Sequence, residues 1–266
     1  MDFTGYDRSF RMLRHGAALS LAAFVCLAAP NAFADDTPSY DRPGFGFAPA
    51  ALPLGGFAWE QGLPSWSLDH TDGTRSSQYT TDTLLRLGLG NHLELQLGTS
   101  PFNRLAQSGM GTSQVSYGRG DTSLGLKWAP AALDPVWSWG LLGSVEFADG
   151  ASGIRNPQRH YTLGATVDQQ LDDKRSITYV AQWQRMGNQG TYLGAGNYGY
   201  AITRAWGIYA EAVALHQQGR TGGLLGAGVT WLPNVRLQWD LSFDHRFIGH
   251  TTDWLADFGV SMYFGP

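Results

Sequence analysis

The sequence predicts an all-β protein, a transmembrane, antiparallel, up-and-down β-barrel of about twelve strands. Three observations predict it. Apolar and polar residues alternate with a period of two in segment after segment, which gives each strand one oily and one wet face. Glycine (35), tryptophan (10), tyrosine (11) and phenylalanine (13) are abundant while charged residues make up only 15% of the 266, a mixture suited to strands and turns. The apolar rows carry no charge in their interiors and end in aromatics such as Trp128, Trp137, Trp139, Trp206, Trp231 and Trp254, as rows that cross a bilayer do.

The elements follow in chain order. Residues 1–34 read as a cleaved export signal, with Arg8, Arg11 and Arg14 ahead of the apolar stretch Gly16 to Ala29 and an A-x-A site in "NAFADD". That stretch is shorter than the 18 or so residues of a spanning helix. The only cysteine, Cys26, leaves with it, so the exported chain has no thiol chemistry. Residues 35–55 are expected on the periplasmic side or tucked into the lumen, and 56–266 form the barrel.

Within the barrel, strands are expected near 56–68, 78–89, 93–100, 121–129, 136–147, 159–169, 176–186, 191–202, 206–216, 222–231, 235–246 and 254–264. In "LLRLGLGNHLELQLG" (84–98) leucine fills one face and Arg86, Glu94 and Gln96 the other. "DTSLGLKWAP" sets Leu124, Leu126 and Trp128 against Asp121, Ser123 and Lys127. "VRLQWDLSFDHRF" sets Val235, Leu237, Trp239, Leu241 and Phe243 against Arg236, Gln238, Asp240, Ser242 and Asp244.

Directly paired residues must point the same way, which tests each turn. A three-residue loop at Gly90-Asn91-His92 pairs Leu89 with Leu93, Leu87 with Leu95 and Leu85 with Leu97. A loop at 203–205 pairs Tyr200 with Ile208 and Asn197 with Glu211. A loop at Leu232-Pro233-Asn234 pairs Val229 with Leu237 and Leu225 with Leu241. The connections between these hairpins, "DHTDGTRSS", "PFNRLAQSGMGTSQVSYGRG" and "ADGASGIRNPQRH", are longer and polar, so short turns collect on one rim and longer loops on the other.

A charge facing lipid at mid-bilayer costs about 2–4 kcal/mol, so the oily rows face lipid and the charged rows a wet lumen. The lumen-lining residues are then Arg86, Glu94, Gln96, Asp121, Lys127, Glu146, Glu211, Arg236, Asp240 and Asp244, with Arg86 diagonal to Glu94 and Tyr209 filling space opposite Gly199. A two-sheet sandwich shares the alternation but gives no reason for aromatic strand ends.

Other chemistry is absent from the motifs. A formal charge of -4 gives no electrostatic footprint for nucleic acid. The histidines are scattered and lack metal-ligand spacing, "GRGDTSLG" opens a strand with no following helix, and no G-x-S-x-G occurs. Asp244 and His245 are adjacent, so on a regular strand they point to opposite faces and form no catalytic pair. No catalytic residue, metal or cofactor is expected, and the protein is expected not to be an enzyme.

"DRPGFGFAPAALPLGGFAWEQGLPSW" (41–66), "LLRLGLGNHLEL" and "GDTSLGLKWA" (120–129), in that order and followed by alternating strands, resemble the outer-membrane transporter-like family named for the meta-pathway of phenol degradation. The resemblance implies a bacterial outer-membrane barrel for uptake of small, often aromatic compounds, and brings no catalytic residues. The last segment, "DFGVSMYFGP", looks like the strand by which assembly machinery recognises outer-membrane barrels, although Gly265 and Pro266 follow the final aromatic. The expected partners are therefore membrane lipid, a small-molecule solute and that machinery. Passage is expected to be passive and selected by Arg86, Glu94, Lys127, Glu211, Arg236, Asp240 and loop 101–120. A plugged structural or adhesive barrel, and less readily a barrel hydrolase, are the alternatives.

Overall fold

The computed structural model describes residues 38–71, 73–109, 111–132 and 134–265, and the signal-like segment 1–34 lies outside them. Thirteen strands form one sheet: β1 (Phe57–Thr71), β2 (Thr74–Gly90), β3 (Leu93–Gly109), β4 (Thr112–Gly118), β5 (Thr122–Trp128), β6 (Trp137–Phe147), β7 (His160–Asp172), β8 (Arg175–Met186), β9 (Gln189–Ala201), β10 (Trp206–Gln217), β11 (Arg220–Asn234), β12 (Leu237–Gly249) and β13 (Trp254–Phe264). Sequence neighbours pair antiparallel except β4 and β5, and β1 pairs with β13, so the sheet closes. The closed wall has twelve positions, because β4 and β5 share one: β4 pairs with the far half of β3 and β5 with its near half.

Closure pairs the strands through the wall and leaves only the short far-rim strand β4 with a free edge, which is what lets strands cross a bilayer with their backbone groups satisfied. The alternation read from sequence sets the two faces. Leu87, Leu97, Leu124, Leu126, Trp139, Leu141 and Leu163 are exposed outward, while Arg86, Glu94, Gln96 and Lys127, one residue along, are buried inside. Outward aromatics pair near the rims, with Trp128 and Trp139 edge to face at 5.2 Å and Trp206 stacked on Trp231 at 5.7 Å.

The near rim holds the start of β1, the end of β13 and the β2–β3, β5–β6, β7–β8, β9–β10 and β11–β12 connections. At the first of these, Asn91 (φ 51°) and His92 (φ 65°) make a two-residue turn preceded by a bulge at Gly88/Gly90, and Leu87–Leu95 and Leu85–Leu97 pair as expected. Leu89 does not pair with Leu93, whose partner is Gly90. The β9–β10 pairs Tyr200–Ile208 and Asn197–Glu211 also form.

Two expectations are corrected. The β11–β12 hairpin turns later than expected, at Val235-Arg236, which shifts the pairing by four residues, so Val229 pairs with Leu241 and Leu225 with His245. Asn234 Oδ1 accepts the Arg236 N–H at 2.9 Å and sets that turn, and because four is even, every side chain keeps its face. The stretches 69–77 and 101–120 are not loops. They are largely strand: β1 and β2 run on to a turn at Gly73, and β3 and β4 to one at Gly111. These extensions are rich in Ser, Thr and Gln, which pair as strand without the oily face that made the other segments visible.

The connection 148–159 is a true loop, and it folds onto the break between β4 and β5. Asp121 Oδ1 and Oδ2 accept the Gly150 and Asn156 N–H groups, each at 2.7 Å, and Ile154 is buried beneath. At the base of that loop, slight burial of the Asp149 carboxyl raises its pKa. Hydrogen bonds from the Thr122 N–H, the Thr122 hydroxyl and Arg119 outweigh this and hold it below the usual carboxylate range.

Leu141 lies outward near the middle of β6, between Trp137 and Phe147, and Leu171 lies outward near one end of β7. Leu141→Arg should lower unfolding free energy in vesicles by about 2–4 kcal/mol and Leu171→Arg by no more than about 1 kcal/mol. Equal costs in a denaturant titration would contradict a depth-graded lipid face.

Candidate functional site

The lumen contains chain. Residues 40–53 run around the inner wall, touching strand after strand, and the residues that made this stretch hard to assign are the ones the path requires. Asp41 faces β1, β3 and β5 through Glu60, Gln96 and Lys127. Arg42 reaches Asp240 on β12 and Asp257 on β13. The Phe45 N–H donates to Glu211 Oε2 on β10 at 3.0 Å, Phe47 packs on Gly164 of β7, and the Leu52 N–H donates to Glu94 Oε2 on β3 at 3.0 Å.

Close approach at these crossings depends on wall glycines. A Cβ at Gly88 would lie 1.9 Å from the Pro53 carbonyl oxygen, and one at Gly259 would lie 2.4 Å from the Arg42 guanidinium. The wall therefore leaves grooves for the segment. Its Gly44 and Gly46 take φ of 88° and 122°, which a side chain would resist.

Arg86 is the centre of the charge network. Its Nε and Nη2 donate to Glu94 at 2.8 and 2.9 Å, its Nη1 donates to Glu60 Oε1 at 2.6 Å and to the Ser39 carbonyl at 2.9 Å, and Asp41 lies at 3.5 Å. Lys127 bridges Asp41 and Glu94 at 3.1 and 3.0 Å. The five side chains Asp41, Glu60, Arg86, Glu94 and Lys127 are all 0% exposed. Ions this deep are stable only when paired and hydrogen-bonded on several sides, and two cations among three carboxylates meet that condition.

A second network fixes the adjoining wall, β12 and β13 beyond β1. Arg42 Nη2 bridges Asp240 at 3.0 Å and Asp257 at 2.7 Å, and Gln238 donates to the Arg42 carbonyl at 2.8 Å. Between the networks the wall changes character. Val180, Leu193, Val213 and Leu224 form an apolar patch on Phe45, with Leu215 and Leu255 against it. These residues lie on the far-rim side of the segment, so the far half of the lumen has an oily wall on one side.

The family model described as "Putative MetA-pathway of phenol degradation" matches residues 40–264, from the start of the inner segment to the last residue of β13. The chain belongs to this family. Among solved structures, an outer membrane channel from Pseudomonas putida F1 is 12% identical with a TM-score of 0.67, over 84% of this chain and 99% of that one. The KdgM porin in complex with disordered oligogalacturonate is 11% identical with a TM-score of 0.54, over 79% and 99%. The translocator domain of the autotransporter NalP from Neisseria meningitidis is 10% identical with a TM-score of 0.51, over 80% and 90%. At these identities the likeness is one of fold. No curated protein matches the sequence.

In this family member Arg86, Glu94, Gln96 and Lys127 come together at Asp41, and Asp240 meets Arg42. Glu211 and Asp244 lie in one row on either side of Gly226, whose missing side chain makes room for the Asp244 carboxylate. Asp121 and Glu146 both bind Asn156 in the far-rim loop, apart from the other groups. Arg236 stands in the β11–β12 turn at the near rim instead of along the lumen wall, with its guanidinium 6.0 Å from the ring centroid of Tyr263, whose side chain packs with Tyr40 and Leu52 at that mouth.

The residues that sequence reasoning missed are Asp41, Arg42, Glu60 and Asp257, along with Phe45 and Phe47. One signal pointed to them. Between Pro38 and Trp59 the only charges are the adjacent pair Asp41-Arg42, placed in a run of Gly, Pro and aromatics where a solvated tail would carry many.

Removing one partner of such a network leaves a buried charge uncompensated. Arg86→Met should cost about 3–5 kcal/mol of unfolding free energy, with partial recovery in Arg86→Met/Glu94→Leu. A loss in the single variant below about 1 kcal/mol would show that the network contributes little. Separately, Gly88→Val should expel the segment at Leu52-Pro53 while the barrel stays heat-modifiable on gels. The measurement is protease cleavage between 48 and 56, and an uncut variant would refute the groove.

Proposed function

We propose that this protein is a bacterial outer-membrane channel for passive entry of small, largely apolar, often aromatic solutes, acting without a chemical step. The observation that carries the reading is the apolar patch of Val180, Leu193, Val213 and Leu224 inside a barrel whose buried inner side chains are otherwise mostly polar or charged. An inner wall facing only water has no use for such a patch, whereas an apolar solute gains about 25 cal/mol for each Å² it buries there. Family membership and the channel fold of the structural relatives support the same reading. Orientation in the outer membrane, with the near rim periplasmic, is supported by the strand extensions of β1 to β4 and the longest connection, 148–159, all standing at the far rim.

A second reading has its own observation. The network around Arg86 is closed to water, as in a barrel that is filled and serves as a structural element.

Planar-bilayer recording with the purified chain separates the two. The channel reading expects discrete steps, larger in Arg86→Ala and Glu94→Ala, and a reduction of current by benzyl alcohol that Leu224→Asn weakens at least threefold. Absence of steps in the wild type and both variants would sink the channel and leave the structural barrel.

A further inference from the structure

Outside the lumen, at the far rim, the tips of β1, β2 and β3 enclose an open cleft of about 410 Å³ lined by His70, Gly73, Thr74, Arg75, Ser108 and Gly109. The register sets His70, Arg75 and Ser108 in one row across the three strands. Gln78, Thr80, Asn103 and Leu105 are buried inward, so by alternation Arg75, Tyr79, Arg104 and Ser108 face outward. The cleft thus opens on the membrane side of the wall.

Four residues nearer the bilayer, Tyr79, Arg104 and Tyr117 share a row. Trp66 lies 6.5 Å from Tyr79 and Phe102 lies 6.3 Å from Tyr117, ring centre to ring centre, which marks this level as an aromatic interface band. Four residues on a strand tilted by 35–45° lift the cleft about 10 Å above that band. Among the described residues neither Arg75 nor Arg104 has an acidic group within 4 Å. His70 is held through Nδ1 by Asp253 Oδ2 at 2.7 Å, which leaves Nε2 for a ligand.

We propose that this face binds the phosphorylated saccharide headgroup of a membrane glycolipid, with one phosphate in the cleft on Arg75, His70 and the Ser108 hydroxyl, and another on Arg104 at the aromatic band. Guanidinium forks match phosphate oxygens in pairs, and a hydroxyl and an imidazole complete the donor set. The height of the cleft selects the lipid. A phosphate joined directly to acylated glycerol sits at the band and reaches Arg104 alone, whereas a saccharide carries a second phosphate up to Arg75.

The test uses the full purified chain in detergent with diphosphorylated lipid A as probe, its dephosphorylated counterpart as control, and native mass spectrometry as readout. Lipid A should be retained at least tenfold better than the dephosphorylated form. That preference should vanish in Arg75→Ala/Arg104→Ala and persist in Arg236→Ala at the other rim, all variants remaining heat-modifiable. Equal retention of both lipids, or an unchanged preference in the double variant, overturns the proposal. So does saturation by millimolar inorganic phosphate with no preference for the lipid, which would assign the cleft to a free anion. If the double variant fails to fold, Arg75→Gln and Arg104→Gln singly are each expected to lose threefold or more, and no loss in either overturns it.

Discussion

The structure depends on one guanidinium. Arg86 projects from β2 into the lumen and contacts carboxylates from three places at once: Glu60 on β1, Glu94 on β3 and Asp41 on the inner segment. The first two tie together three neighbouring strands from inside, and the third ties the segment to that wall. Desolvating an arginine is costly, and only this convergence offsets it. The register of β1, β2 and β3 must therefore be the one that brings the carboxylates within reach. A slip of one residue in β2 would turn Arg86 to the lipid face and leave three buried acids with Lys127 alone.

The same constraint explains where the wall is thin. A chain can lie against the inside of a barrel only where the wall has no side chains, and the segment contacts Gly88, Gly164 and Gly259. Glycine weakens a strand, and here the loss is offset by the segment's own contacts: the Leu52, Phe45 and Asp41 amides all donate to wall carboxylates. The filled near half and the walled far half are thus one design. A twelve-position barrel is wider than its own side chains can fill, and the segment supplies the missing volume.

The wall was largely legible in the sequence because its rule is local. A lipid-crossing strand must alternate, so "LLRLGLG" or "LQWDLSF" announces both its conformation and its faces. What stayed hidden obeys no period. The far-rim halves of β1 to β4 stand clear of the oil and carry Ser, Thr and Gln on both faces. The β11–β12 turn moved because two registers four residues apart satisfy the same face rule, and only the hydrogen bond within the turn at Asn234 decides between them. For the site, Arg86, Glu94 and Lys127 were visible as charges on the wet face of strands. Asp41 and Arg42 were not, because a segment held by tertiary contacts alone writes no pattern.

The charges are sorted by location, and the sorting bears on what the lumen admits. Inside, three cations, Arg42, Arg86 and Lys127, face Asp41, Glu60, Glu94, Asp240 and Asp257, while Glu211 and Asp244 have no cationic group within 4 Å among the described residues. Toward the far rim Arg75, Arg104 and Arg185 instead face outward, and Arg246 is held by Asp253. An anion moving inward therefore leaves a favourable rim for an interior with surplus carboxyl groups, where low dielectric strengthens the repulsion. A neutral apolar molecule meets no such barrier, and along Leu215, Val213 and Leu224 it finds a continuous oily wall down to Phe45. Charge thus acts here by exclusion, and the apolar patch supplies the affinity. Neither feature alone would make a barrel selective for neutral apolar solutes, since the patch without the acids would also hold amphipathic anions.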